Sequence, residues 1–556
     1  MKVRITVLAF IIITAYIPVL TSGKSSAGEN SIPADIVPSS AALYGRGASY
    51  TRGIDIFLYF IHNVAAAQGR RKTIEWMNSF ASATNIDLRN KNSLEMNGID
   101  TARPFAVSYF QNPGKEGDFL FVIPVKQGAS FPYKFVDIIR RKTGAKKKID
   151  MNPAITRYGK HSMFQIQKDI FFSSHEQYFL VSSSGSLLRS ALDCAAKKAG
   201  AKSLAGDKEY REFWKGPVQD SDVSLYARKG MAVTDALSHF IEPSTLNIDD
   251  ENVQSEPPPG DPVPFFESTG MGISKNGNRF QCEIIAKLNH DNPSSDILRE
   301  SIRANSSQKC IYANDALLYS YLSLKPESLH RFCEDSRGKN TALCSAFYEI
   351  TELMIKYTNL IIEKDFVNSF EGISNIAVKK SGLQGHPDHY VMYFTMKDRQ
   401  ASKAFWNTMK DYLQDSEDIG YTFNEKKIGV TPVFSVKNMQ GAETIYANND
   451  NAFFISNNAE FLSSMINEKK LSLPEICSAA SGNKIDSTVF SFTRINLEDE
   501  SFIKAIILLS TYNSNRLLYN ILNKSLKMEM VGKINMSTIM FNLDIHIRDT
   551  STRTPK

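Results

Sequence analysis

His386 and His389, in the run Gly385-His386-Pro387-Asp388-His389, are the chain's nearest approach to a metal site. Two imidazoles and a carboxylate within four residues could serve zinc, which takes nitrogen, sulfur and oxygen ligands in a tetrahedral shell. Gly, Pro and Asp are also the residues of a tight turn, and turn chemistry accounts for the run without a metal. Ser182 to Ser186 sits between an apolar strand pattern and a helical one, where some hydrolases hold a nucleophilic serine. It lacks Gly-x-Ser-x-Gly, and its hydroxyls suit the unpaired amides of a helix N-terminus. Ser306-x-x-Lys309 has an acyl-transfer spacing but lies in a polar stretch. Gly270-x-Gly272 continues to Gly277, a spacing that fits no dinucleotide loop, and no phosphate loop ending Gly-Lys-Ser/Thr occurs. Asp249-Asp250-Glu251 lacks the interleaved ligands and glycine of a calcium loop. The sequence therefore offers no clustered catalytic set. The expectation is a non-enzymatic protein with no cofactor, with His386 and His389 as weak metal candidates.

The chain of 556 residues is 42% hydrophobic and 11% aromatic, too rich in core-forming residues for a disordered chain, and its mean hydropathy of -0.26 is too low for a polytopic membrane protein. Lys2 and Arg4 precede an apolar run from Ile5 to Leu20, followed by small residues and the motif Ser25-x-Ala27. That order predicts a secretory signal over residues 1–27, with a mature N-terminus between Lys24 and Gly28. The alternative is an uncleaved anchor in the inner membrane. The predicted compartment is the periplasm or cell envelope. Removing the signal takes away three of the six net positive charges, leaving a near balance that argues against a nucleic-acid partner. Arg140, Arg141, Lys142, Lys146, Lys147 and Lys148 form one local basic cluster, a solvated helix end or a weak contact for an anionic surface.

Export raises the question of disulfides. Cys194, Cys282, Cys310, Cys333, Cys344 and Cys477 allow 15 pairings, and no Cys-x-x-Cys is present. Cys333 and Cys344 flank a polar, Gly338-centred turn between two helical patterns and are expected to be bridged. The connectivity of the other four is open.

These residues must be positioned by elements that recur. Phe179–Leu192 and Phe453–Ile466 carry their apolar residues in step at an offset of 274. Phe105–Val107 matches Ile376–Val378 at 271, as Phe119–Val125 matches Tyr390–Met396. The alternating strand Phe280–Leu288 matches Ile539–Ile547 at 259. Co-linear matches with drifting offsets predict two tandem copies, 32–290 and 312–548, joined by a linker over 291–311. A Pro-rich acidic loop over 249–264 lies in the first copy. Within a copy the pattern predicts strands near Ala41–Tyr44, Phe105–Phe110 and Asp118–Val125, helices near Pro132–Thr143 and Ser186–Ala199, and an apolar helix near Met231–Phe240. The second copy is expected to hold a strand near Ala316–Leu322, helices near Pro326–Cys333 and Thr341–Asn359, and apolar helix near Phe502–Leu522. Strands mixed with helices and joined by hairpins predict an α+β class with largely antiparallel sheet.

Ile32-Pro33-Ala34-Asp35 leading to Ala42-Leu43-Tyr44, then Gly98-Ile99-Asp100 before Arg103-Pro104-Phe105, resemble a family of exported bacterial proteins classed only as a domain of unknown function. FLVSSSGSLLRSAL at Phe179–Leu192, with Ser203-Leu204-Ala205 and Tyr210, is similar too. The resemblance implies an envelope location and a duplicated α+β unit, and brings no catalytic residues. Glu371–Ser374 departs from it where Gly98-Ile99-Asp100 stands in the first copy.

The functional expectation is an exported scaffold or binding module whose ligand, an unknown envelope component, sits in a cleft between the copies. The alternatives are a carrier of a lipid or other apolar envelope component, and a hydrolase whose residues converge only in three dimensions.

Overall fold

The computed structural model describes residues 32–53, 86–111 without 88, 117–126, 154–165, 170–214, 220–228, 266–302 and 309–334 without 314. It further describes 367–381, 388–415, 422–437, 441–449, 451–472 without 469, 475–477, 489–497, 525–547 without 536, and scattered positions between 71 and 82.

The N-terminal half supplies ten strands: β1 (Leu43–Gly47), β2 (Phe105–Phe110), β3 (Asp118–Pro124), β4 (Ala154–Tyr158), β5 (His161–Gln165), β6 (Phe171–His175), β7 (Tyr178–Ser182), β8 (Val223–Arg228), β9 (Phe266–Asn276) and β10 (Arg279–Leu288), of which β1 and β7 are buried along their whole length. The C-terminal half supplies β11 (Lys309–Ile311), β12 (Leu318–Leu322), β13 (Phe370–Lys379), β14 (His389–Met396), β15 (Thr422–Ile428) and β16 (Thr431–Lys437). It continues with β17 (Glu443–Asn449), β18 (Ala452–Ser456), β19 (Lys470–Ser472), β20 (Val489–Asn496), β21 (Ser525–Asn535) and β22 (Thr538–Ile547). The hairpins β4–β5, β9–β10 and β15–β16 turn on Gly159, Gly277 and Gly429, whose φ values of 59°, 59° and 60° suit the tight turns that match strand twist.

Among the described residues all strand pairings are antiparallel, and 20 strands form one sheet. From one edge the order is β4-β5-β6-β7-β3-β2-β1-β8-β9-β10. It continues as β22-β21-β20-β12-β13-β14-β18-β17-β16-β15 to the other edge. The junction is β10 against β22, nine registered pairs from Arg279 opposite His546 to Lys287 opposite Thr538. Strands β11 and β19 pair separately.

The expected fold class, α+β in two tandem copies of a mixed unit, is corrected here. Among the described residues strand accounts for 49% and helix for 29%, and the halves share a single mostly antiparallel sheet. The physical reason lies at β10 and β22. Alternation told that both were strands with one apolar face, but it does not say what hydrogen-bonds along a strand's second edge. Each of these strands uses that edge to pair with the other.

Helices pack on both sides. In the first half, Ile32–Ile36, Gly185–Ala195 and Lys208–Trp214 cover Tyr44, Ala106, Leu120, Leu180 and Tyr226. In the second, Ala459–Asn467 lies over Tyr319, Ala377, Val391 and Phe454. On the opposite side, Pro326–Glu334 and Arg399–Asp415 bury Phe332, Phe405 and Met409 against Phe370, Phe394 and Phe434. Ser184 and Asn458 cap their helices by accepting from Leu187 N at 3.5 Å and Phe461 N at 2.7 Å. Both caps follow a strand, β7 beside β3 and β18 beside β14. The stretch 291–311, expected as a linker, holds the helix Pro293–Ser301, capped by Asn292, and then β11. Among the described residues no helix is long and apolar enough to cross a membrane.

Candidate functional site

Side chains alternate across a strand, so the register sorts the central strands into two faces. On one face Ile273, Cys282, Leu543 and Met530 line up across β9, β10, β22 and β21. A second row runs Met271, Ile284, Phe541, and a third brings Ile545 beside Met528. These nine apolar side chains are only partly buried, while Leu225, Phe280, Ile495, Ile534 and Ile539 around them are buried. The result is a continuous apolar surface spanning the junction of the halves. Three of its nine members are methionines, whose flexible thioethers fit irregular partners. Burial pushes the Cys282 thiol up to about 12, and the neighbouring Glu283 adds to it, so this sulfur behaves as an apolar atom.

The opposite face of the same strands is charged. Arg494, Glu529, Asp544 and Gln281 occupy one row across β20, β21, β22 and β10. Arg279 Nε donates to both Asp544 oxygens at 2.8 and 2.7 Å, which raises the guanidinium's pKa further. Lys527 Nζ is 2.7 Å from Glu529, and Arg494 Nη1 donates to Tyr312 Oη at 2.6 Å. A cavity of about 270 Å³ opens here, lined by Asp315, Ala316, Arg494, Asn496, Leu526, Lys527 and His546. Its cations face carboxylates already, so the row reads as an internally paired network that fastens the junction. One row along, Glu283 is buried with one carboxyl oxygen lacking a partner; burial raises its pKa, with Lys533 opposing.

The residues singled out in the sequence are dispersed. His389 opens β14 opposite Lys379, whereas His386 lies outside the described residues. Among the described residues no group of three His, Cys, Asp or Glu is placed to hold a metal. Ser182 Oγ is bonded to the carbonyl oxygen and amide of Ser184, and Ser184 to the helix it caps, which ties both hydroxyls to structure. Lys309 pairs with Ser472 across β11 and β19, and Ser306 lies outside the described residues. So do the acidic loop 249–264 and the cluster Arg140, Arg141, Lys142, Lys146, Lys147 and Lys148. Cys333 is buried in the helix Pro326–Glu334, and Cys344 lies outside the described residues, as the side chain of Cys310 does. Cys194 and Cys282 are free thiols, and Cys477 is buried. At the position where a cleft between halves was expected, the described residues form the hydrogen-bonded β10–β22 ladder. Sequence reasoning recognised the alternation of Phe280, Cys282, Ile284, Ala286 and Leu288 but not that part of this face stays open. The signal was the two partner strands, β9 and β21, with methionines at the same-face positions.

No family model matches the chain, and no curated protein matches it. Among solved structures, a chain titled "Structure of crystal form III of TP0453" aligns at 11% identity over 52% of this chain and 92% of its own, with a TM-score of 0.26. One titled "Structure of crystal form IV of TP0453" aligns at 13% identity over 51% of this chain and 88% of its own, with a TM-score of 0.25.

Proposed function

We propose that the protein is an exported, non-enzymatic binding module of the cell envelope, and that its ligand is a lipid or another apolar envelope component. One observation carries this reading: the partly exposed apolar face formed by Met271, Ile273, Cys282, Ile284, Met528, Met530, Phe541, Leu543 and Ile545. Removing apolar surface from water is favourable by roughly 25 cal/mol per Å², so an open face of this kind rewards an apolar occupant. The sheet beneath it is pinned by the ion pairs on its other side, which gives the ligand a preformed surface rather than one assembled on binding.

The test is binding of a fluorescent fatty acid to the purified full chain, together with mass spectrometry of molecules extracted from native protein. Saturable binding that Leu543→Lys and Met530→Lys each weaken at least tenfold supports the module. Absence of both saturable binding and any co-extracted lipid rejects it.

A further inference from the structure

Arg46 lies in β1, on the face that the first half covers with helices, and it is 4% exposed. Its three guanidinium nitrogens are buried, and none has a hydrogen-bond partner among the described residues. The charged group lies over an aromatic face: its Cζ stands 5.0 Å from the centre of the Trp214 ring. Trp214 is stacked on Tyr210 at 5.2 Å, and Tyr44 meets Tyr210 edge-on at 5.5 Å. Ser108, on the same face of β2 and opposite Tyr44, has a buried hydroxyl with no hydrogen-bond partner among the described residues. Tyr178, whose phenol burial pushes up to about 12, lies within the field of Arg46 and of Arg103, and Arg103 is itself paired with Asp100 at 3.1 Å.

The second half shows how this chain buries an arginine permanently. Arg494 is 8% exposed and also lies against a ring, 5.3 Å from that of Tyr312. It donates to Tyr312 Oη, and Glu529 sits directly across the strand pair from it. Arg46 has Ser224 and Ala106 across from it and no carboxylate bonded to it. A guanidinium brings five donors in a planar fork, and a buried charge without an acceptor is strongly unfavourable. No described residue supplies that acceptor, so the fork stands ready for one.

We propose that Arg46 anchors a second binding site, on the opposite face from the apolar surface, for the oxyanionic group of a small ligand, a carboxylate or a phosphate. The anion is held by both edges of the guanidinium fork, the geometry such groups favour. Trp214 keeps the fork's plane fixed, and Ser108 offers a further donor. Enclosure makes the pair stronger than it would be in water.

The experiment compares thermal unfolding of the full chain at pH 7 in sodium phosphate, sodium acetate and sodium chloride at matched ionic strength. A ligand that binds only the folded state raises Tm with the logarithm of one plus the ratio of its concentration to Kd. Wild type should show a rise with phosphate, acetate or both that exceeds the one in chloride and the one shown by Arg46→Met, and which salt acts names the anion. Arg46→Met should lose that rise and, without the oxyanion, melt no lower than wild type, since it removes an unpaired charge. Arg46→Lys, which keeps the charge and loses the fork, should respond only at higher anion concentration. A wild type that responds no more to the oxyanions than to chloride overturns the site, as does an Arg46→Met response equal to wild type. Should both variants fail to fold, isothermal titration of wild type decides: a one-to-one isotherm with phosphate or acetate supports the site, and no heat beyond dilution overturns it.

Discussion

Gly270 makes the packing of the first half testable. It sits in β9 opposite Tyr226 of β8, beneath the helix Lys208–Trp214. A Cβ built there would stand 1.7 Å from Phe213 Cζ and 2.8 Å from the Leu225 carbonyl oxygen. Carbon atoms rest at about 3.5–4.0 Å, so in Gly270→Ala the Phe213 ring must retreat by about 2 Å. It has little room, being 8% exposed and packed 5.2 Å from Tyr226. The Leu225 oxygen is backbone and yields only if the β8–β9 ladder opens. Overpacking alone costs about 1–3 kcal/mol, and the ring's partial loss of burial brings the total to about 3 kcal/mol. Phe213→Ala by itself should cost about 3–5 kcal/mol through the cavity it leaves. With the ring gone, the new methyl has space, so the double variant should fall short of the additive sum by about 1–3 kcal/mol. Urea denaturation of the four proteins, followed by tryptophan fluorescence, reads these values. A Gly270→Ala cost below about 0.5 kcal/mol, the range of surface changes, or strict additivity would refute the proposed contact.

Three further outcomes follow from buried groups. Burial raises the Glu283 carboxyl, so the folded protein holds that proton more tightly than the unfolded chain and stability is lost as pH rises past the ordinary carboxylate range. Glu283→Gln should therefore raise Tm at pH 7, with a gain that shrinks toward pH 4; a gain independent of pH sinks the idea. Burial pushes the Cys194 thiol to about 11 and Cys282 to about 12, so neither should react with iodoacetamide at pH 8 until the chain is unfolded, and mass spectrometry of labelled peptides checks this. Cys333 and Cys344 should appear as one linked pair in a peptide map of unreduced protein, a loop worth about 2–3 kcal/mol; both thiols alkylated without reduction would reject the bridge.

Local pattern made much of the sheet legible. The expected strands Phe105–Phe110, Asp118–Val125 and Phe280–Leu288 coincide with β2, β3 and β10 because alternation and turn residues act over a few neighbours. The helix expected over Ser186–Ala199 runs Gly185–Ala195, since Lys197 and Gly200 turn to positive φ and end it early. The helix Arg399–Asp415 was missed although Phe405 and Met409 are spaced one turn apart on its buried side. Asn292-Pro293-Ser294 is a good helix start, and the polar composition around it hid that signal. The apolar site was half legible: its strands declared their faces, but exposure depends on which strands flank them, and β22 lies 259 positions from β10. Arg46 stood inside the alternation Leu43-Tyr44-Gly45-Arg46-Gly47, where a charge in a buried strand was visible and its lack of an acceptor was not.

The junction of β10 with β22 also fixes an order of events during synthesis. Strand β10 is complete once residue 288 is made, but its partner does not begin until Thr538. At about 5–20 residues per second, the first half waits on the order of 10–50 s with that edge unsealed. An open edge beside apolar side chains is a template for any neighbouring chain. Two nascent copies on one message present complementary halves of the same seam, so the last strand of one can close the waiting edge of the other. The pairing that unites the halves thus leaves the first half with an unsealed edge until the β22 strand is in place.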